Sequence, residues 1–254
     1  MIIILTLVFT IGLLLPVLWY FVYEFQRPLP TVDGARCLLL IAHPDDESMF
    51  FGPTIRRLTA AGVKIFVFCV STGNFEGQGQ RRKVELNNAV VKLGLSTDNL
   101  TILDHQDYQD GCKWETEKLA RLVLNHIEKL DCDIVVTFDG YGVSGHSNHI
   151  AIFRTLQSLY SNGALPADVQ VFILESVNII RKYSWLLDLL PSAYKSTFRY
   201  VSSPSDCRAI FAAMFQHKSQ LAWFRYLFVG FSRYAYVNTL KRIPIHRLMA
   251  PKLN

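Results

Sequence analysis

The sequence has no Cys-x-x-Cys pair, and its five cysteines (Cys37, Cys69, Cys112, Cys132 and Cys207) are odd in number and widely spaced. That suggests neither a zinc-thiolate site nor a disulfide framework. Cys37, Cys69 and Cys132 lie in apolar runs and read as small core residues, so a reducing compartment suits the chain. No block of five like charges occurs, and the excess of 26 Lys+Arg over 21 Asp+Glu is mild and unclustered, which leaves nucleic-acid binding without support. There is no internal repeat and no low-complexity segment. Gly77-Gln78-Gly79 lacks the third glycine and the strand-to-helix placement of a dinucleotide fingerprint.

Charge is also missing from residues 2–23, which are apolar apart from isolated Thr and Tyr. About 20 apolar residues cross a bilayer, so residues 1–24 are expected to form a transmembrane anchor. Pro16 would kink it, and Trp19, Tyr20 and Tyr23 would sit at the interface. The length of the run, the lack of a basic start and the lack of a small-residue cleavage site argue against a cleaved leader. Arg27 and Arg36 follow the run, which places the remainder in the cytosol by the positive-inside rule. Residues 25–35 read as a linker and residues 36–254 as one catalytic domain.

From residue 36 on, apolar strands alternate with helical stretches. Strands are expected at Cys37–Ala42, Val63–Val70, Leu100–Leu103, Ile134–Phe138 and Val169–Leu174. This order predicts an α/β fold: a Rossmann-like parallel, doubly wound sheet with helices on both faces. After Val177 come two aromatic, apolar stretches, Ile179–Leu190 and Arg208–Tyr236, too short between charges to span a membrane. They are expected to pack on the sheet as amphipathic helices; the functional alternative is a helix lying in the lipid headgroup region with Arg225 and Arg233 snorkelling.

The first strand stops abruptly at Ala42-His43-Pro44-Asp45-Asp46-Glu47. Proline cannot continue the ladder, so these residues leave the sheet at its carboxyl edge, where open α/β sheets place their sites. After the fourth strand comes the glycine-rich Asp139-Gly140-Tyr141-Gly142-Val143-Ser144-Gly145, then His146-Ser147-Asn148-His149 at a predicted helix start. Two histidines three apart share one face, and the helix dipole favours their neutral form. His43 and His149 with one aspartate make a catalytic metal site with a position open for water. A second carboxylate would take the proton, and His146 would hydrogen-bond the oxyanion. Spacing leaves open whether Asp45 or Asp46 is the ligand. The loop acids Asp104, Asp107 and Asp110 read as solvated.

The two motifs together resemble the LmbE-like metal-dependent deacetylases, and within them the N-acetylglucosaminylphosphatidylinositol de-N-acetylase family of GPI-anchor biosynthesis. The resemblance covers most of residues 36–240; Gly73-Asn74, Arg82-Lys83-Val84-Glu85-Leu86, Val136-Thr137-Phe138-Asp139 and His217-Lys218-Ser219-Gln220 agree with it. It implies a zinc enzyme, with other divalent metals as alternatives, acting on a glycolipid at the endoplasmic reticulum membrane. It implies that His43, Asp46 and His149 are the metal ligands, Asp45 the general base and His146 the electrophilic residue. Asn74 and Arg82 would line the substrate pocket. Some bacterial relatives carry a tyrosine where this chain has Ser144, so that residue's role does not transfer. The rival expectations are a deacetylase of another GlcNAc conjugate and a non-catalytic, membrane-tethered glycolipid-binding protein.

Overall fold

The structure, a computed structural model, describes residues 2–243, apart from the side chains of residues 2–4, 7, 8, 11 and 224. In chain order it runs α1 (Ile2–Glu24), β1 (Arg36–Ile41), α2 (Asp46–Phe50), α3 (Gly52–Ala60), β2 (Lys64–Cys69), α4 (Gly79–Lys92), β3 (Leu100–Ile102), α5 (Thr116–Lys129) and β4 (Ile134–Phe138). There follow α6 (Ser147–Ser161), β5 (Gln170–Leu174), α7 (Ile179–Lys182), α8 (Leu189–Lys195), β6 (Phe198–Val201), α9 (Pro204–Met214), α10 (Trp223–Phe231) and β7 (Val237–Arg242).

The strands form one seven-stranded sheet in the order β3-β2-β1-β4-β5-β7-β6. β1 explains why its run is apolar throughout. Cys37, Leu39 and Ile41 enter the core under α3, α4 and α9, whereas Leu38 and Leu40 enter the opposite core under α5 and α6. A strand buried on both faces has no solvent side to mark with polar residues.

The first five strands in this order pair in parallel. The last two depart from the expected all-parallel sheet: β7 lies antiparallel between β5 and β6. β6 has four residues and β7 carries polar residues within its length, so neither shows the uninterrupted apolar run that marks the interior strands. The expected helix over Arg208–Tyr236 is likewise broken. α9 ends at Met214, single 3-10 turns cover Lys218–Gln220 and Arg233–Ala235, and α10 lies between them.

α1 contains Pro16 and lies partly on the domain. Val22 is buried, Trp19 Nε1 donates to the Ser202 carbonyl at 2.8 Å and Arg57 donates to the Tyr23 hydroxyl at 2.9 Å. Leu13, Leu14, Val17, Tyr20 and Phe21 face outward. Among the described residues no helix is long and apolar enough to cross a membrane, and the expected spanning segment falls in part on side chains outside the description. Residues 25–35 are docked: Arg27 exchanges backbone hydrogen bonds with Arg199 of β6, and Leu29 is buried with its N–H on the Tyr200 hydroxyl.

Candidate active site

The chain moves outward in both directions from the β1–β4 pair, so a crevice opens at the carboxyl ends of those two strands. Both histidine-bearing loops leave from there. After β1 the turn is pinned by Asp46, whose Oδ2 accepts the N–H groups of Ala42 at 2.9 Å and His43 at 2.8 Å. Asp45 is thereby forced to a φ of 133°, a strained value for a residue with a Cβ. Glu47 holds the strained peptide, its Oε2 accepting the Asp45 N–H at 3.1 Å. Glu47 Oε1 in turn meets His217 Nε2 at 2.7 Å, and both side chains are fully buried.

After β4, Asp139 performs the same service. Its Oδ1 accepts the Tyr141 and Gly142 N–H groups and its Oδ2 the Ser176 N–H. Gly142 has φ +61°, and a Cβ there would lie 2.8 Å from the His149 Cβ, so only glycine lets this loop return so close to α6. The His149 ring stacks on Phe138 at 3.8 Å with 2° between planes, which fixes its tilt.

The imidazoles of His43, His146 and His149 converge, their ligand atoms within 4.8 Å of one another. Hydrogen bonds assign each ring a role. His149 Nδ1 faces the Gly142 carbonyl at 3.0 Å and must donate to it. The lone pair is then on Nε2, which is buried, has no hydrogen-bond partner and points at Asp46 Oδ1 3.2 Å away. His146 is the reverse case: Nδ1 accepts the Asn148 N–H at 3.4 Å, so the neutral ring carries its proton on Nε2 and is a donor. His43 Nε2 faces Asp110 Oδ1 at 3.4 Å and the Asn148 amide at 3.1 Å, leaving Nδ1 on the side of Asp46, 3.9 Å from Oδ2. A carboxylate behind a ligating imidazole is the usual device for fixing its tautomer. Two ligands about 2.0–2.1 Å from a tetrahedral ion stand a little over 3 Å apart, the separation of His149 Nε2 and Asp46 Oδ1, whereas His43 Nδ1 is wider at 3.9 Å from the other Asp46 oxygen. The three histidines converge closely enough to hold an ion, but the His146 tautomer suits a donor better than a ligand.

The electrostatics follow from burial and neighbours. Burial works against the Asp46 carboxylate, yet His149 and His43 together hold it well below the ordinary range. Burial, with the Asp46 charge added, raises the Asp45 carboxyl against the opposing pull of Arg225. Burial lowers His146, as do its two histidine neighbours. For His149, burial lowers the ring and the facing Asp46 carboxylate raises it, the net shift being upward.

The site opens into a cavity of about 640 Å³ whose lining includes His43, Asp45, Asp46, His146, His149 and Arg82. Arg82 is there as a clamp, donating to the Gly73 carbonyl, the Pro44 carbonyl and Gln220 Oε1. Gly73, at φ +64°, leaves room for it; a Cβ would fall 2.3 Å from the guanidinium. Asn74 lies outside the cavity lining, because its Oδ1 is taken up by the Gly79 N–H at 2.7 Å.

Four participants were not placed at the site from the sequence. Asp110, grouped with the solvated acids, reaches His43. Arg225 Nη2 sits 3.1 Å from Asp45 Oδ2, placing it in the cavity wall rather than on a lipid-facing surface. The other two are the Glu47–His217 pair; the signals for it were the adjacency of Glu47 to the two aspartates and the agreement of the His217–Gln220 segment with the family resemblance.

Residues 38–160 match the family described as PIG-L: GlcNAc-PI de-N-acetylase. A Bos taurus protein named N-acetylglucosaminyl-phosphatidylinositol de-N-acetylase is 41% identical over 218 residues, spanning 85% of this chain and 86% of that one. A Dictyostelium discoideum protein named as a probable enzyme of the same kind is 36% identical over 245 residues, spanning 84% and 95%. Among solved structures, the N,N'-diacetylchitobiose deacetylase from Pyrococcus horikoshii shares the fold, with a TM-score of 0.61 at 16% identity over 88% of this chain and 89% of that one.

Proposed function

The chain belongs to the PIG-L family of GlcNAc-PI de-N-acetylases, and from that premise we propose that it hydrolyses the acetamide of N-acetylglucosaminylphosphatidylinositol. The products are acetate and glucosaminylphosphatidylinositol, a step of GPI-anchor biosynthesis. The observation that carries this reading is the partnerless Nε2 of His149, aimed at Asp46 beside a second buried carboxylate in an open cavity.

His43, Asp46 and His149 are the residues that would hold the metal, and a two-imidazole, one-carboxylate set suits zinc, with other divalent ions as alternatives. Bound there, such an ion supplies Lewis-acid polarisation and lowers the pKa of a water. Asp45 takes the proton of the attacking water and returns it to the nitrogen as the C–N bond breaks. Arg225 and the clamp residue Arg82 hold that carboxylate in place from either oxygen, at 3.1 and 3.9 Å. His146 donates Nε2–H to the oxygen that becomes negative. Asp110 orients His43.

The reading includes a membrane. α1 is proposed to anchor the chain in the endoplasmic reticulum membrane by a single pass, with the domain in the cytosol. The exposed apolar side chains Ile179, Ile180, Trp223, Leu227 and Phe231, on the helices α7 and α10 that also give Lys182, Arg225 and Phe228 to the cavity lining, support contact with lipid. Deleting residues 1–24 and floating the product with liposomes tests that contact; a product that stays wholly soluble removes it. The activity is tested by acetate release from N-acetylglucosaminylphosphatidylinositol before chelation, after chelation and with zinc restored. Loss and return of release are expected; no release from folded, zinc-loaded protein overturns the reading.

A further inference from the structure

Lys182 ends α7 at the wall of the active-site cavity, and it is half-buried. Its Nζ lies 5.6 Å from the Phe228 ring and 5.8 Å from the Tyr183 ring, and among the described residues it meets no carboxylate. Arg225, the neighbouring cation of the wall, is directed at Asp45. A lysine usually escapes burial by snorkelling to water. This one lies over aromatic faces beside a second cation, an arrangement that leaves positive charge uncompensated. Burial, and after it the charge of Arg225, lower the Lys182 ammonium from its ordinary value. The charge of an anion in the cavity would oppose that lowering.

The surroundings of Lys182 indicate which anion. It shares the cavity lining with the residues of the reaction centre. The same short helix, α7, carries Ile179 and Ile180, exposed by 67% and 78%. A glycolipid bound with its acetamide at Asp45 and its tails at those isoleucines would place between them the single charged group linking inositol to glycerol. We infer that Lys182 is the phosphodiester-binding residue of this cavity, selecting substrates that carry one anionic phosphodiester between the amino sugar and the lipid. This rests on the deacetylase reading above. The cation is held in place from behind: its chain neighbour Arg181 is fixed by two contacts with the buried Asp188, at 2.6 and 3.1 Å. Lys182 is therefore presented from a braced turn.

The test compares two water-soluble substrates on the full chain: GlcNAc-inositol bearing a methyl phosphodiester, and the same compound without phosphate. Removing one charge-assisted hydrogen bond predicts that Lys182→Ala lowers the ratio of kcat/KM between them about tenfold, through KM. Lys182→Arg should keep the ratio within about threefold, since it retains the charge. An unchanged ratio in Lys182→Ala overturns the assignment, and so does an equal fall in kcat on both substrates, which is the mark of a merely structural residue. A loss seen only with substrate embedded in anionic vesicles, and not with the soluble phosphodiester, would assign Lys182 to bulk lipid instead. Calorimetric binding of the same two compounds reads the subsite without turnover. Absence of deacetylation with intact, Lys182-dependent binding of the phosphodiester would therefore sink the enzyme reading alone.

Discussion

Replacing Asp45 by Asn separates the chemistry from the architecture. The strained φ of 133° would penalise Ala, whereas Asn is among the residues that best tolerate positive φ. The Asp45 N–H that Glu47 accepts is backbone and survives the change. What is lost is a charge 3.1 Å from Arg225 and 3.9 Å from Arg82. Arg82 keeps its three other acceptors, the Arg225 side chain is 24% exposed, and the raised Asp45 carboxyl means that its charged form is already disfavoured in the fold, so neutralising it should not lower stability. The protein stays folded. The His43, Asp46 and His149 donors are untouched, so bound zinc should stay near the wild-type stoichiometry. Loss of a positioned general base lowers kcat by about 10²–10⁴, or roughly 3–5 kcal/mol of barrier. The pH profile supplies a second reading. Burial raises the Asp45 carboxyl and the base must be ionised to act, so wild-type activity should fall with decreasing pH at values above the ordinary carboxylate range near ~4. That acid limb should vanish from the residual activity of the variant. Acetate release, metal analysis and a thermal melt on one preparation are sufficient. Undiminished turnover refutes the role of Asp45 as base; loss of zinc together with activity would make it a ligand.

Other substitutions test how the site is held. Asp188 is fully buried and pairs with Arg233 at 2.6 Å, also fully buried, and with Arg181. Asp188→Asn strands the Arg233 charge and should cost about 3–5 kcal/mol, read by denaturant unfolding; a loss below about 1 would mean that water or another group already compensates Arg233. For His217, burial lowers the pKa but Glu47 more than reverses it, so the folded value lies above the unfolded ~6.5. Its stabilising effect is then complete below about pH 6.5 and is lost as pH rises through the folded value. His217→Gln should therefore destabilise by about 1–3 kcal/mol at pH 6 and by less at pH 9, checked by melts of chelator-treated protein; a penalty that grows with pH contradicts the assignment.

The interior strands and the two catalytic loops were legible because each carries its own local signal. Cys37–Ile41 is apolar without alternation, and a strand of that kind has to lie between two layers of helices. His43-Pro44-Asp45 ends it with a residue that cannot pair, and the carboxyl edge of a parallel sheet follows. β6 and β7 carry no such signal. Their pairing joins Phe198–Val201 to residues some forty positions later, and the short polar-interrupted segments between them read as helix by composition. The same limit separates the residues of the site that could be named from those that could not. His43, Asp45, Asp46, His146 and His149 lie in two compact motifs, each following one strand, so topology alone brings them together. Asp110 belongs to a loop whose composition is that of any solvated turn, and only the fold turns it towards His43. Glu47 and His217 are 170 residues apart, and neither neighbourhood indicates that they meet at 2.7 Å behind the strained Asp45. Sequence therefore reveals the groups that converge at the cavity, and the structure is needed for those that hold them. The same division covers Arg225, for which a lipid-facing place was the alternative to packing on the sheet: an arginine among apolar residues looks alike whether its guanidinium reaches the headgroups or, as here, a carboxylate of the active site.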